Sequence, residues 1–275
     1  MRNTLRDAYR KFVPEKIKGK VREPVKDAVV ILENMIFNYS STVPRTVEIE
    51  TNDLCTRSCT YCPKPESQGL EMSDELFKSI ITQLDELKFK GTLCLHQYNE
   101  PLTDPRLADF MAYAHNVLPK TNIELYTNGD LLSQEKINSL QKSGVHRIIA
   151  TIHASSSIAH AKKLKDLKKQ NNQMYIQDFR EGSKTRPFST RGGLVELDNV
   201  RYSTQCYTID SLIVRVNGDV VLCCQDSQKR YIYGNVNNQT IQEIWNDDEF
   251  KKTRNKIMHG KFELEMCQKC GYERI

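Results

Sequence analysis

Three cysteines constrain this chain more than anything else in it. Cys55, Cys59 and Cys62 form a C-x3-C-x2-C triplet within the stretch CTRSCTYC, directly after an apolar segment, residues 46–51, that reads as a strand. Three thiolates on one short loop can hold three corners of a 4Fe-4S cube, and the fourth iron is then left open. An open iron beside a strand end is a place for a small chelating molecule, so the triplet points to chemistry rather than to structure alone. A zinc knuckle short of one ligand, or three unrelated thiols, are the readings against it. The chain has nine cysteines, and their grouping as C-x3-C-x2-C and a later C-x2-C favours metal over disulfides.

From residue 46 onward strands and helices alternate. Apolar strands are expected at 47–50, 92–95, 123–127, 147–152 and 173–177, with amphipathic helices between them. Ser73 caps a helix carrying Leu76, Phe77, Ile80, Ile81, Leu84 and Leu87, and Asp104-Pro105 reads as an N-cap followed by proline at the first helical position. Ser133 caps the next helix and Gly144 ends it. Such alternation builds a parallel sheet flanked by helices, with chemistry gathered at the C-terminal ends of the strands. The cysteine loop lies at such an end.

The triplet, with Tyr61 directly before its last cysteine, resembles the signature of the radical S-adenosylmethionine (radical SAM) superfamily. The resemblance implies an α/β fold, a partial (β/α)6 TIM-like barrel, with Cys55, Cys59 and Cys62 as ligands of a 4Fe-4S cluster and Tyr61 against adenine. In that superfamily S-adenosylmethionine chelates the open iron, and one electron from the cluster cleaves it to a 5′-deoxyadenosyl radical that takes a hydrogen atom from substrate. Asn99 and Glu100 stand where the family usually has a Gly-Gly-Glu-Pro-like motif, both glycines being replaced, by Tyr98 and Asn99. Their side-chain oxygens are expected to meet the methionine ammonium. Thr127 and Asn128 after the third strand, and His153 and Ser155 after the fourth, are further candidates for cofactor or substrate contact. Arg191, in a polar loop with Gly192-Gly193, is a candidate clamp for a carboxylate.

A second thiol group lies near the C-terminus. Residues 212–216 and 220–223 alternate around Asn217-Gly218, a type I′ hairpin signal, and place Cys206 near Cys223. A helix expected over 240–258 leads to Cys267 and Cys270. Four thiolates from two places make a closed metal site that staples a small β fold, and zinc satisfies the same pattern. The spacing is similar to the twitch domain, a shortened SPASM domain, and that resemblance implies a second, auxiliary 4Fe-4S cluster. Cys94 reads as a small buried hydrophobe. Cys224, beside a ligand on an alternating strand, points away from Cys223 and is a candidate hydrogen donor.

The expected organisation is a basic helical extension 1–45, a barrel core 46–200 and a cluster-binding domain 201–275. Residues 1–26 hold nine Lys or Arg against Asp7, Glu15 and Glu23, so this arm carries +6 of the net +5 and the remainder is at −1. That distribution argues against a nucleic-acid-binding face and leaves residues 1–26 as a candidate contact for a membrane surface or an acidic partner. No apolar run approaches the roughly 18 residues that span a bilayer, and no signal-peptide core is present, so a cytoplasmic protein is expected. The leading functional expectation is dehydrogenation of a polar substrate such as a sugar or aminocyclitol, with the auxiliary cluster accepting the electron and a flavodoxin or ferredoxin-type protein as electron donor. The alternatives are an epimerase of a sugar or ribosomal peptide using Cys224, and a non-catalytic iron-sulfur or zinc-binding protein.

Overall fold

The alternation read from residue 46 onward builds one sheet. The computed structural model describes residues 42–180, 188–206 and 208–273. The basic arm 1–26, and the expected extension up to residue 41, lie outside the described residues. In chain order the elements are β1 (Thr46–Ile49), α1 (Asp74–Glu86), β2 (Thr92–Cys94), α2 (Leu107–Val117), β3 (Asn122–Thr127), α3 (Gln134–Lys142), β4 (Arg147–Ile152), α4 (Ile158–Gln170) and β5 (Met174–Asp178). They are followed by β6 (Val200–Tyr202), β7 (Ser211–Val214), β8 (Asp219–Val221), β9 (Ile232–Asn235), α5 (Ile241–Asn246), α6 (Asp248–Met258), α7 (Glu265–Gln268) and β10 (Gly271–Glu273).

The sheet order is β5-β4-β3-β2-β1-β7-β8-β9. The first six strands in that order are parallel, and β8 and β9 are added antiparallel. Six parallel strands in an unclosed sheet are the parallel sheet expected from the pattern, and they agree with the α/β partial barrel that the resemblance implies. The sixth strand is β7, whose pairing runs from Thr46↔Ser211 to Ile49↔Val214. Sequence pattern places this segment in a C-terminal hairpin; in the sheet it is also a barrel strand.

Strand alternation separates two faces. Val47, Ile49, Leu93, Leu95, Ile123, Leu125, Ile148, Ala150, Leu212 and Val214 belong to the core packed with the helices. The α1 residues Phe77, Ile80, Ile81 and Leu84 are fully buried there, and Phe77 stacks on Phe110 of α2 at 4.1 Å. The intervening residues Ile213, Glu48, Cys94, Glu124 and Arg147 are register partners in one row across five strands. The polar members of that row therefore line the face opposite the helices. Cys94 is buried at 4% exposure within it.

Helix starts follow the caps read from sequence at two positions: Ser73 accepts from the Leu76 N–H and Ser133 from the Lys136 N–H. Asp104 acts one step earlier than expected. It accepts from the Arg106 N–H in a turn, and α2 begins at Leu107. The helix expected over 240–258 is two helices, because Asp247 leaves helical geometry at ψ 138° and its carboxylate caps α6 at the Phe250 N–H. The β7–β8 connection is not type I′. Arg215 pairs with Asp219, the Gly218 N–H bonds the Arg215 carbonyl, and only Gly218 has positive φ, 87°. That is a three-residue loop with a glycine bulge.

Candidate active site

The cysteine loop is a closed excursion from the end of β1. Its neck is held by Met72 N–H to Thr51 O, Asp53 N–H to Leu70 O and an antiparallel bridge between Asn52 and Glu71. The Asp53 carboxylate gathers the returning chain, accepting from Ser67 Oγ and from the Gln68 and Leu70 N–H groups. Inside this frame Cys62 N–H bonds the Cys59 carbonyl at 3.0 Å, and Cys55, Cys59 and Cys62 are all half-buried free thiols. Burial pushes the Cys55 and Cys62 thiols up, so loading a metal group there expels protons.

The ends of β2, β3 and β4 converge on the loop. Glu100, 2% exposed, accepts from Thr127 Oγ1 at 2.6 Å and from the N–H groups of Asn128 and Leu102. Burial raises its pKa against those hydrogen bonds. Glu100 thus ties β2 to β3, with lone pairs left for a further donor. Asn99 is turned toward Asn52 and the Gln97 N–H. Asn128 donates to Thr56 Oγ1 at 2.9 Å and lies 4.0 Å from Cys55 Sγ.

Sequence reading missed the strongest of these links. Arg57, inside the triplet, forms a bidentate pair with Asp130 at 2.7 and 2.5 Å and also donates to Ser156 Oγ. Burial pushes the Asp130 carboxyl up, and the hydrogen bonds from Arg57 and Thr56 with the Arg57 charge outweigh it, leaving its pKa lowered. Ser155, expected here, is exposed, and its neighbour Ser156 takes the network position, accepting from the His153 N–H as well. A charged residue between two cysteines, with an Asp in the Asn-Gly-Asp turn after β3, was the available signal.

On the other side of the loop sits an aromatic group. The Tyr61 ring lies 4.6 Å from Phe188 and 6.1 Å from Phe179, and its hydroxyl meets His153 Nδ1. The same His153 nitrogen is 3.8 Å from Cys59 Sγ. Burial, with help from the Arg57 charge, lowers the His153 pKa to about 4, so the ring is neutral near pH 7.

The second thiol group surrounds a cavity lined by Cys206, Cys223, Cys267 and Cys270 together with Leu222 and Met266. Among the described residues no three His, Cys, Asp or Glu side chains converge on a point as a single ion requires. The four thiols ring a space, which suits a multi-atom cluster better than one zinc. Close approach of the chain is needed here: Gly192, at φ 64°, lies where a Cβ would strike Met266.

Arg191 stands between the two thiol groups. Its guanidinium lies over the Tyr98 ring at 5.9 Å; burial raises the pKa of Cys62 on one side and of Cys224 and Cys270 on the other, and the Arg191 charge opposes that rise at all three. Its own backbone is left-handed, φ 50°, with its N–H donating to Ser189 Oγ. Tyr98 donates to the Cys224 carbonyl at 2.8 Å and lies under Arg215, which is paired with the buried Glu50 at 2.8 Å. Gln225 links Ser189 Oγ to the Cys224 thiol. Burial, then the Glu48 charge, push Cys224 up to about 12.

Comparison with known proteins bears on this geometry. Residues 49–181 match the radical SAM superfamily, and residues 206–271 match the iron-sulfur cluster-binding domain called SPASM. The chain is 29% identical over 243 residues to an S-adenosyl-L-methionine-dependent 2-deoxy-scyllo-inosamine dehydrogenase from Niallia circulans, covering 82% of this chain and 92% of that protein. It is similar to the crystal structure of BtrN in complex with AdoMet and 2-DOIA, with 28% identity and a TM-score of 0.73 over 83% of this chain and 93% of the other. An open conformation of BtrN gives 26% identity and a TM-score of 0.65, over 83% and 92%. A cysteine triplet at the exit of β1, six parallel strands and a four-thiol cavity are thus joined to matches over both parts of the chain, and the protein belongs to the radical SAM superfamily, with a SPASM-type iron-sulfur domain of the shortened, twitch kind at its C-terminal end.

Proposed function

We propose that this protein is a radical SAM dehydrogenase that oxidises a small polar alcohol of the aminocyclitol class. When bound, two 4Fe-4S clusters and S-adenosylmethionine supply a radical that removes a hydrogen atom from carbon and a sink for the electron left behind. Cys55, Cys59 and Cys62 would hold the first cluster, and Cys206, Cys223, Cys267 and Cys270 would hold the second. Tyr61, Asn99, Glu100, Thr127, Asn128 and His153 surround the first loop and shape the space for the cofactor. Converting a CH–OH carbon to a ketone removes one hydrogen atom, one electron and one proton, so the substrate must lie within reach of both thiol groups.

The observation that carries the reading is the position of Arg191, over the Tyr98 ring whose hydroxyl donates to the Cys224 carbonyl, with its charge also reaching Cys62. Glu48, which receives Gln97 Nε2, adds an anion whose charge also reaches Cys224, so a cation and an anion act near that thiol. A ring bearing hydroxyls and an amine needs such mixed partners. The named activity of the Niallia circulans relative supports the substrate class. All nine cysteines are free thiols, which suits a reducing cytoplasm, and among the described residues no helix is long and apolar enough to cross a membrane. The test is anaerobic turnover with dithionite and 2-deoxy-scyllo-inosamine: the expected products are 5′-deoxyadenosine and the ketone in equal amounts. 5′-Deoxyadenosine with unchanged inosamine would exclude that substrate.

Cys224 favours a second reading. Its carbonyl accepts from Tyr98 and its thiol from Gln225, beside the Arg191–Tyr98 contact, and epimerisation would follow if that thiol returned a hydrogen atom to the substrate carbon. Turnover in deuterated water with wild type and Cys224→Ala separates the two; a product without solvent deuterium removes the epimerase.

A further inference from the structure

Helix α4 carries a charge that the rest of the described chain does not. Its thirteen residues hold Lys162, Lys163, Lys165, Lys168 and Lys169 against Asp166, a net +4, whereas residues 27–275 as a whole are at −1. Asp166 is paired with Lys162 and Lys169 at 2.8 and 2.9 Å, so the acid is covered by its own neighbours. Those two lysine side chains are 77% and 75% exposed, and Lys165 is exposed beside them. Two lysines are engaged by the protein: Lys163 is turned inward onto the Gly129 and Asp130 carbonyls, and Lys168 lies over the Tyr175 ring.

The start of the same helix is apolar and open. Ile158 is 85% exposed, while the helix meets the core through Ala161 and Leu164 instead. Ala154 and Ala159 are exposed next to it. Ile158 thus stands at the tip of a helix whose exposed face is lysine-rich.

This tip is tied to the first thiol group by a short run of contacts. Cys59 Sγ is 3.8 Å from His153 Nδ1, the His153 N–H and carbonyl both bond Ser156, and Ser157 caps α4. We propose that the apolar tip and lysine face of α4 dock an acidic one-electron carrier protein of the flavodoxin kind. Opposite charge steers such a carrier onto the face, and the tip sets its redox group beside the cysteine loop. One electron leaves the carrier and is taken up at the cluster of that loop. The proposal rests on the radical SAM reading and adds the surface through which the electron arrives.

The test uses the cluster-loaded enzyme, a recombinant flavodoxin as probe, and dithionite as a donor too small to need docking. In Lys162→Glu with Lys165→Glu, and separately in Ile158→Glu, the flavodoxin dissociation constant is expected to rise about tenfold. The wild-type constant weakens with added salt and the lysine variant's does so less. Dithionite-driven 5′-deoxyadenosine formation is expected to stay at the wild-type rate. Unchanged flavodoxin binding, or equal loss in the flavodoxin and dithionite reactions, would overturn the proposal. Loss of retention on phosphatidylserine vesicles with flavodoxin binding intact would overturn it in favour of a lipid-facing helix. If wild type makes no 5′-deoxyadenosine with dithionite, the catalytic reading fails, and the binding measurement still judges the docking surface.

Discussion

Arg57 sits between Cys55 and Cys59 in the sequence, and its pairing with Asp130 ties the loop to the turn after β3. The two side chains are 15% and 27% exposed, so the pair lies between a surface ion pair and a buried one. Asp130→Asn should therefore destabilise the metal-free protein by about 1–3 kcal/mol, read by urea unfolding, and lower the iron retained on the triplet after desalting. Unchanged iron content would mean that the neck of the loop suffices without the pair. The thiols were legible in the sequence because ligand spacing is local chemistry. Arg57–Asp130 was not, because its partners are 73 residues apart and each alone reads as a solvated charge. Glu100 was legible as a residue at the site. That its carboxylate is engaged by Thr127, Asn128 and Leu102 depends on how β2 and β3 exit the sheet, which no local pattern encodes.

Among the elements, the β7–β8 hairpin is the most exposed to test. Gly218 has φ 87°, and a Cβ there would meet the Asn235 and Asn237 side chains. Gly218→Ala should cost about 1–3 kcal/mol and displace Cys223 at the far end of β8, seen as lost auxiliary-cluster absorbance with the triplet cluster retained. The hairpin also has an acid limit. Burial pushes the Asp219 carboxyl up, and hydrogen bonds from Asn217, Asn235 and Lys229 outweigh it, so the folded pKa is below the usual carboxylate value. Its stabilisation is complete above about pH 4 and is lost as pH falls through the folded pKa. The acid limb of the unfolding profile should flatten in Asp219→Asn; an identical limb would remove Asp219 from the account. Asn-Gly announced a turn here but not its type, since type I′ and a glycine bulge share that dipeptide and the Arg215–Asp219 pairing decides. Likewise, apolar spacing runs on across Asp247, so one helix was read where that residue ends α5 and caps α6.

At the scale of the whole molecule, the sheet order carries the function. Parallel pairing of β7 with β1 sets the strand that follows Cys206 directly beside the strand that leads to the triplet, and β8, which leads to Cys223, is the next strand over. The alternation of elements announced the parallel sheet, but the identity of the sixth strand was hidden, because β7 pairs with a strand some 165 residues earlier. That order joins the two thiol groups through one sheet, with the Arg191 charge acting on Cys62 of the first and Cys270 of the second. Full occupancy corresponds to about eight irons per chain, four at each group. The most direct measurement is electron paramagnetic resonance of the anaerobically reconstituted, dithionite-reduced protein with and without S-adenosylmethionine. The account predicts a 4Fe-4S signal that shifts when the cofactor is added, is lost in Cys59→Ala, and is accompanied by 5′-deoxyadenosine. A signal that the cofactor leaves unmoved, with no nucleoside formed, would contradict it.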